Sequence, residues 1–290
     1  MNKPDHSALR AAKETRKDRL ARWVLSAPPH VFLFVFLVLP ALIMMLASVR
    51  YPGEFGGLAP LSHPAGAAGA AGLSADSYRF FVSDTIFLEI FLKSLLIALA
   101  TTLICLLLAY PLALLIARQP KPRRDAMVLL VILPFASNFL IRIYAWIILL
   151  GPLNLLYSPF AVITGMVYVH LPFMVLPLYA NLEQHDPLLL DAARDLGADV
   201  WQRFWKVTFP LSLPGIFSGG ALVFIPVLGM FAVPELLGGT GDIMIGNLIK
   251  EQFLESRDWP FGATLSLILT VLVLAVAKLT ATFTRRRRLA

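Results

Sequence analysis

Apolar residues in this chain come in long runs rather than in alternation. Six stretches, residues 31–49, 90–117, 126–150, 160–182, 211–233 and 260–283, carry almost no charge. Each approaches or exceeds the roughly 20 residues that an α-helix needs to cross the hydrocarbon core of a bilayer. Backbone N–H and C=O groups in lipid must be satisfied within their own segment, so such runs predict an all-α membrane protein with six transmembrane helices. The 31–49 run is longer than the roughly 7 to 15 apolar residues of a cleaved leader, and more spans follow it, so it reads as a permanent span.

The polar segments between the runs set the expected topology. Lys3, Arg10, Lys13, Arg16, Lys17, Arg19 and Arg22 precede the first run. Arg118, Lys121, Arg123 and Arg124 follow the second, and Arg285, Arg286, Arg287 and Arg288 follow the sixth. Positive flanks stay on the cytoplasmic side, which predicts a basic cytoplasmic segment 1–30, a membrane region 31–283 and a basic cytoplasmic tail 284–290. The 50–89 connection then falls outside, and its Gly/Ala-rich middle, 64–72, has too little bulk to form a core. Lys93 softens the start of the second span, its long stem able to reach the interface.

One interior segment is both polar and well patterned. Between the fourth and fifth runs, within the inner loop 183–210, Asp186 and Pro187 make a helix start and Gly197 a left-handed stop. Asp199, with Gln202 three residues on, caps a second short helix carrying Val200, Trp201, Phe204, Trp205 and Val207 until Pro210 intervenes. The prediction is two short helices joined at a glycine, projecting from the membrane region to dock onto something else.

Asp191-Ala192-Ala193, three residues, Gly197, nine residues, then Val207-Thr208-Phe209-Pro210 resembles the cytoplasmic loop signature of ABC importer permeases, E-A-A-x3-G-x9-I-x-L-P. Asp191 stands for Glu, Val207 for Ile and Phe209 for Leu. In that family the loop fits a groove on the ATPase subunit. The resemblance therefore implies ATPase coupling through Asp191, Ala192, Ala193, Gly197, Trp201, Phe204 and Pro210.

Composition supports the membrane reading and excludes other classes. Hydrophobic residues make up 58% of the 290 and charged residues 15%. The net charge of +7 is concentrated beside the apolar runs, which is a topology signal and not a nucleic-acid surface. A single cysteine, Cys105, allows no internal disulfide and reads as a lipid- or helix-facing filler. The histidines, His170 and His185 included, lack metal spacing and read as polar residues near helix ends. The chain has no phosphate-binding loop of the G-x4-G-K-[ST] type, no nucleophile elbow and no zinc-protease helix. Nucleotide hydrolysis must therefore come from a separate subunit.

Candidate path residues lie in the third and fifth runs. Arg142 is an ionisable group within a span, either functional or paired, or else snorkelling at the outer interface. Tyr144 and Trp146 are either interfacial belt residues or aromatic walls for a cation. Pro226, Gly229 and Pro234 weaken the fifth helix close to Glu235 and make that end a candidate wall of the path. Glu235 is the leading acid for a positive substrate; its alternatives are a solvated rim residue and a partner for Arg142. Asp242 and the Arg257-Asp258 pair read as loop caps or contacts to a docked protein.

Leu133-Pro134-Phe135 with residues 138–146, Val223-Phe224-Ile225-Pro226 with residues 234–239, Met244-Ile245-Gly246 and Arg257-Asp258-Trp259-Pro260 resemble the spermidine/putrescine importer permeases. The likeness covers most of residues 80–280. It implies a multi-pass subunit of the bacterial inner membrane, a second permease chain, two ATPases holding ATP and Mg²⁺, and an extracytoplasmic solute-binding protein. It implies no cofactor in this chain and no enzymatic activity. The alternatives are the same architecture serving an amino acid or organophosphonate, an ion-driven secondary transporter or channel, and a scaffold without flux.

Overall fold

The computed structural model describes residues 23, 25–53, 55–59 and 73–288, with side chains described as far as Thr282. The basic residues 1–22, the 64–72 stretch and the side chains of the final arginine run lie outside the described residues. The helices are α1 (Leu25–Ser48), α2 (Asp76–Ser83), α3 (Thr85–Ala117), α4 (Lys121–Ile132), α5 (Phe139–Leu150), α6 (Pro159–Leu182), α7 (Leu188–Asp195), α8 (Val200–Leu228), α9 (Ala232–Leu237), α10 (Ile245–Leu254) and α11 (Trp259–Arg288). Among the described residues, β pairing is limited to two isolated bridges near the 50–73 connection.

Helices α1, α3, α6, α8 and α11 are each long and apolar enough to cross a bilayer. The third expected span, 126–150, needs correction: α4, continued by a 3₁₀ turn over Leu133–Ala136, meets α5 at a bend of 90°. Pro134 lacks the N–H that a continuing helix would use, and Ser137 and Asn138 turn extended. Asn138 Oδ1 then accepts the Leu140 N–H at 2.8 Å and starts α5 afresh. Twelve residues of helix reach about 18 Å, short of the roughly 30 Å hydrocarbon core, so α5 does not cross alone. The count is five spanning helices, or six when the bent pair is taken as one crossing.

The core lies where α3, α6 and α8 meet. The apolar stretch of α6 is 61% buried against 11% for α1, which makes α6 the axis and α1 an outer helix. Thr101, Cys105, Ala109 and Ala113 recur every fourth residue along α3 and are all buried. Their small size lets α3 approach α6 closely, and Cys105 faces the Val167 carbonyl there. Gly219 gives α8 the same close approach to α6, since a Cβ there would fall 2.8 Å from Met174 Sδ. A second apolar layer, Phe81, Ile245, Leu248, Phe261 and Leu265, closes one end of the bundle. It recruits α2, so the 50–89 connection has an ordered second half, and α3 begins at Thr85 rather than near residue 90.

A further correction concerns Pro210, which does not stop the helix that begins at Val200. A π turn over Phe204–Thr208 precedes it, and the Phe209 N–H bonds to the Phe204 carbonyl. The wider turn relieves the clash between a proline ring and the carbonyl four residues back. Helix α1 uses the same device, with a π turn over Phe34–Val38 ahead of Pro40. The expected short amphipathic helix and the fifth span are thus one helix, α8, which ends at Gly229 and not at residue 233.

Candidate functional site

Two groups of candidate residues sit at opposite ends of the bundle. At the C-terminal end of α3, the 183–199 connection folds as the capping residues dictate. Asp186 Oδ1 accepts the Leu188 N–H at 2.9 Å and opens α7. Gly197 has φ +81°, with its N–H on the Arg194 carbonyl at 2.9 Å and the Ala198 N–H on the Ala193 carbonyl at 3.0 Å. This pair of bonds is a Schellman stop. A Cβ at Gly197 would meet no atom within 4 Å, so the glycine is required by backbone angle and not by space. Asp199 Oδ1 accepts the Gln202 N–H at 2.6 Å and opens α8.

This hairpin presents Asp191, Ala192 and Gly197 to solvent, with Ala193 half-buried. Exposed apolar side chains surround them: Leu188, Leu196, Val200 and Trp201, with Leu196 89% exposed. An apolar patch of this kind marks a contact surface. The aromatic trio divides. Phe204 turns inward, edge-on to Tyr110 of α3 at 5.5 Å, while Trp201 stays exposed and Trp205 lies on Phe209 at 5.0 Å. Ser212 donates to the Phe209 carbonyl, so the Tyr110 hydroxyl donates to Ser212 Oγ at 2.9 Å. His185 Nε2 donates to the Leu211 carbonyl at 3.2 Å, and burial holds its pKa below the ordinary value against the opposing pull of that bond. Arg124 of α4 pairs with Glu183 at 2.8 Å. The hairpin is thereby fastened to α3, α4 and the start of the long apolar part of α8.

At the other end, α8 breaks at Gly229 and the chain resumes as α9 and α10. Glu235 pairs with Lys250 at 2.5 Å, not with Arg142 as one reading of the sequence allowed. The Lys250 ammonium also lies 5.9 Å from the centroid of the Phe231 ring. Its bond to Glu235 raises its pKa, outweighing desolvation, with Glu255 adding to the rise. Lys93 pairs with Asp242 at 3.0 Å and donates to the Gly241 carbonyl. Asp242 is buried and accepts the Gly239 N–H at 3.1 Å, the loop-capping role expected of it. Asp258 accepts the Phe261 N–H at 3.1 Å and caps α11. Tyr157, Glu235, Gly239, Thr240, Asp242 and Asn247 line an open cleft of about 620 Å³.

Arg142 lies between these ends, on α5. Its guanidinium carbon is 5.5 Å from the Phe135 ring centroid, and Phe135 is edge-on to Phe173 in the second half of α6. Nε is buried without a hydrogen-bond partner, and Arg142 makes no ion pair among the described residues. Trp146 is edge-on to Tyr168 at 5.6 Å, while Tyr144 is exposed. His170 is not near a helix end: it is buried in mid-α6, with Nδ1 2.9 Å from the Met166 carbonyl. His185 does follow a helix end, as expected.

Residues 109–288 match the family described as "Binding-protein-dependent transport system inner membrane component". The spermidine/putrescine transport system permease protein PotB of Escherichia coli (strain K12) is 44% identical over 207 residues, covering 66% of this chain and 75% of that protein. The inner membrane ABC transporter permease protein YdcU of the same organism is 33% identical over 214 residues, covering 64% and 68%. Among solved structures, a chain of a bacterial alginate ABC transporter, crystallised with alginate pentasaccharide-bound periplasmic protein, superposes with a TM-score of 0.70. It is 17% identical and covers 94% of this chain and 96% of its own.

Proposed function

The chain belongs to the inner membrane components of binding-protein-dependent transport systems, and on that premise we propose that it carries spermidine- or putrescine-like polyamines inward. It is a permease subunit of an ABC importer. In our reading it supplies half of the translocation path, and a second, related permease supplies the rest. The 183–199 hairpin faces the cytoplasm and seats Asp191, Ala192, Ala193 and Gly197 on an ATPase subunit, where ATP and Mg²⁺ are held. Both termini lie on that side, six crossings being counted with α4 and α5 as one. The cleft beside Glu235 then opens toward the solute-binding protein.

The observation that carries the substrate assignment is the 44% identity to a spermidine/putrescine permease over two thirds of the chain. An exposed carboxylate at the mouth of a cleft supports it, because an ammonium leaving water needs a compensating negative charge. Alternating access by rigid rocking of two permeases suits a bundle whose moving hairpin is fastened to α3 and α8. The test is ATP-driven uptake by the complete transporter in proteoliposomes with its binding protein. Di- and triamines compete for labelled spermidine, while amino acids and phosphonates do not. A preference for anions, which Arg142 would favour, overturns the assignment.

A further inference from the structure

The protein holds one of its own ammonium groups in a setting that would suit an alkylammonium ligand. Helix α10 presents Asn247 and Lys250 three residues apart, hence on one face. Asn247 Nδ2 donates to the Phe231 carbonyl at 3.0 Å and so fixes the residue that follows the α8 break. Lys250 Nζ then lies between Glu235 Oε1 at 2.5 Å and the Phe231 ring at 5.9 Å. A carboxylate joined to an aromatic face is a set of groups that binds primary ammonium. Glu235 and Asn247 both line the 620 Å³ cleft.

We propose that Lys250 is a tethered stand-in for a substrate ammonium, occupying Glu235 and Phe231 until an incoming polyamine displaces it. This rests on the polyamine reading above and adds the site and its resting occupant. The neighbouring pair shows why only one of the two lysines exchanges. Asp242 is buried, caps its own loop and holds Lys93, which is also tied to the Gly241 carbonyl. Glu235 is more open than Asp242, its side chain 43% exposed against 7%, and among the described residues no second protein donor to Glu235 is present. Exchanging one ammonium for another on Glu235 leaves no buried charge unpaired. A site that is already filled also withholds a bare carboxylate from monovalent cations of the medium.

The test is equilibrium dialysis of labelled putrescine against the complete permease–ATPase complex in nanodiscs, without the binding protein. Lys250→Met should tighten binding by about fivefold, the size that a half-exposed ion pair supports. Lys250→Arg, which keeps a pair at least as strong, should bind no more tightly than the parent, and Glu235→Gln should weaken binding. Adding Lys250→Met to Glu235→Gln should bring no gain, because the lysine then has nothing to compete for. Unchanged or weaker binding by a monodisperse Lys250→Met complex overturns the proposal, as does a tightening that persists in the Glu235→Gln background. ATP-driven uptake by the same preparation, with the binding protein restored, separates the two readings. A parent complex that takes up no polyamine defeats the substrate assignment. One that does, with Lys250→Met binding like the parent, defeats only the stand-in.

Discussion

The two ends of the bundle are held by different forces. Apart from the Arg124–Glu183 pair at its root, the hairpin end depends on backbone angle and short hydrogen bonds: the Gly197 stop, the Asp186 and Asp199 caps, and the Tyr110–Ser212 link. The cleft end depends on charge, through Lys93–Asp242 and Lys250–Glu235. Backbone geometry is indifferent to salt and solute, whereas an ion pair can change partner. The difference teaches that the hairpin is built to keep its shape while something pushes on it, and the cleft is built to let one group replace another.

The largest effect should come from forcing the hairpin's glycine. Gly197→Val places a β-branched residue at φ +81°, a conformation costing more than the roughly 1–2 kcal/mol of an ordinary side chain. ATP-driven uptake should fall to background while the protein remains in the membrane fraction. Normal uptake would end the coupling role. At the cleft end, Lys93→Met strands the Asp242 carboxylate in a buried site, a loss of about 3 kcal/mol, whereas Lys250→Met should change stability far less. Thermal unfolding of the purified complex ranks the two, and equal losses would erase the distinction between fixed and exchangeable pairs.

A smaller effect separates the ends without mutation. Raising salt toward 1 M shortens the screening length to about 3 Å and should weaken the Lys250–Glu235 pair, leaving the Gly197 stop and the aspartate caps of the hairpin in place. Hydrogen exchange at α10 should quicken while that of α7 holds. The smallest effect is expected from pH. The His185 pKa is lowered, so its contribution is complete above the ordinary imidazole value near 6.5 and is lost as pH falls through the lower value of the folded state. Lowering pH from 7.5 to 5.5 should therefore depress the unfolding temperature of the parent slightly more than that of His185→Asn. An equal response would exclude His185 as the sensitive group.

The hairpin was legible in the sequence because its determinants are local. Asp186, Gly197 and Asp199 act within two or three positions, and each does what its residue type prescribes. The long runs gave α1, α3, α6, α8 and α11 for the same reason. The break between α4 and α5 was hidden because Pro134, Ser137 and Asn138 lie inside an uninterrupted apolar stretch, where composition masks a change of direction. Pro210 misled in the other sense, since a π turn absorbed it. The partners of the charged residues were illegible because they are distant: Lys93 meets Asp242 across 149 positions, and no local pattern announces it. Lys250 is one charge among several in its segment, although Asn247 three residues earlier is the signal that α10 faces the α8 break.

Because the π turn carries α8 through Pro210 without interruption, the hairpin and the cleft share one rod. Its 29 residues make a lever about 43 Å long, and a tilt of about 6° at Val200 would swing the far tip by about 4.5 Å. Phe231, half of the ammonium's seat, stands three positions beyond that tip. On the proposed coupling, a nudge at the hairpin would thus be felt at the Glu235–Lys250 pair.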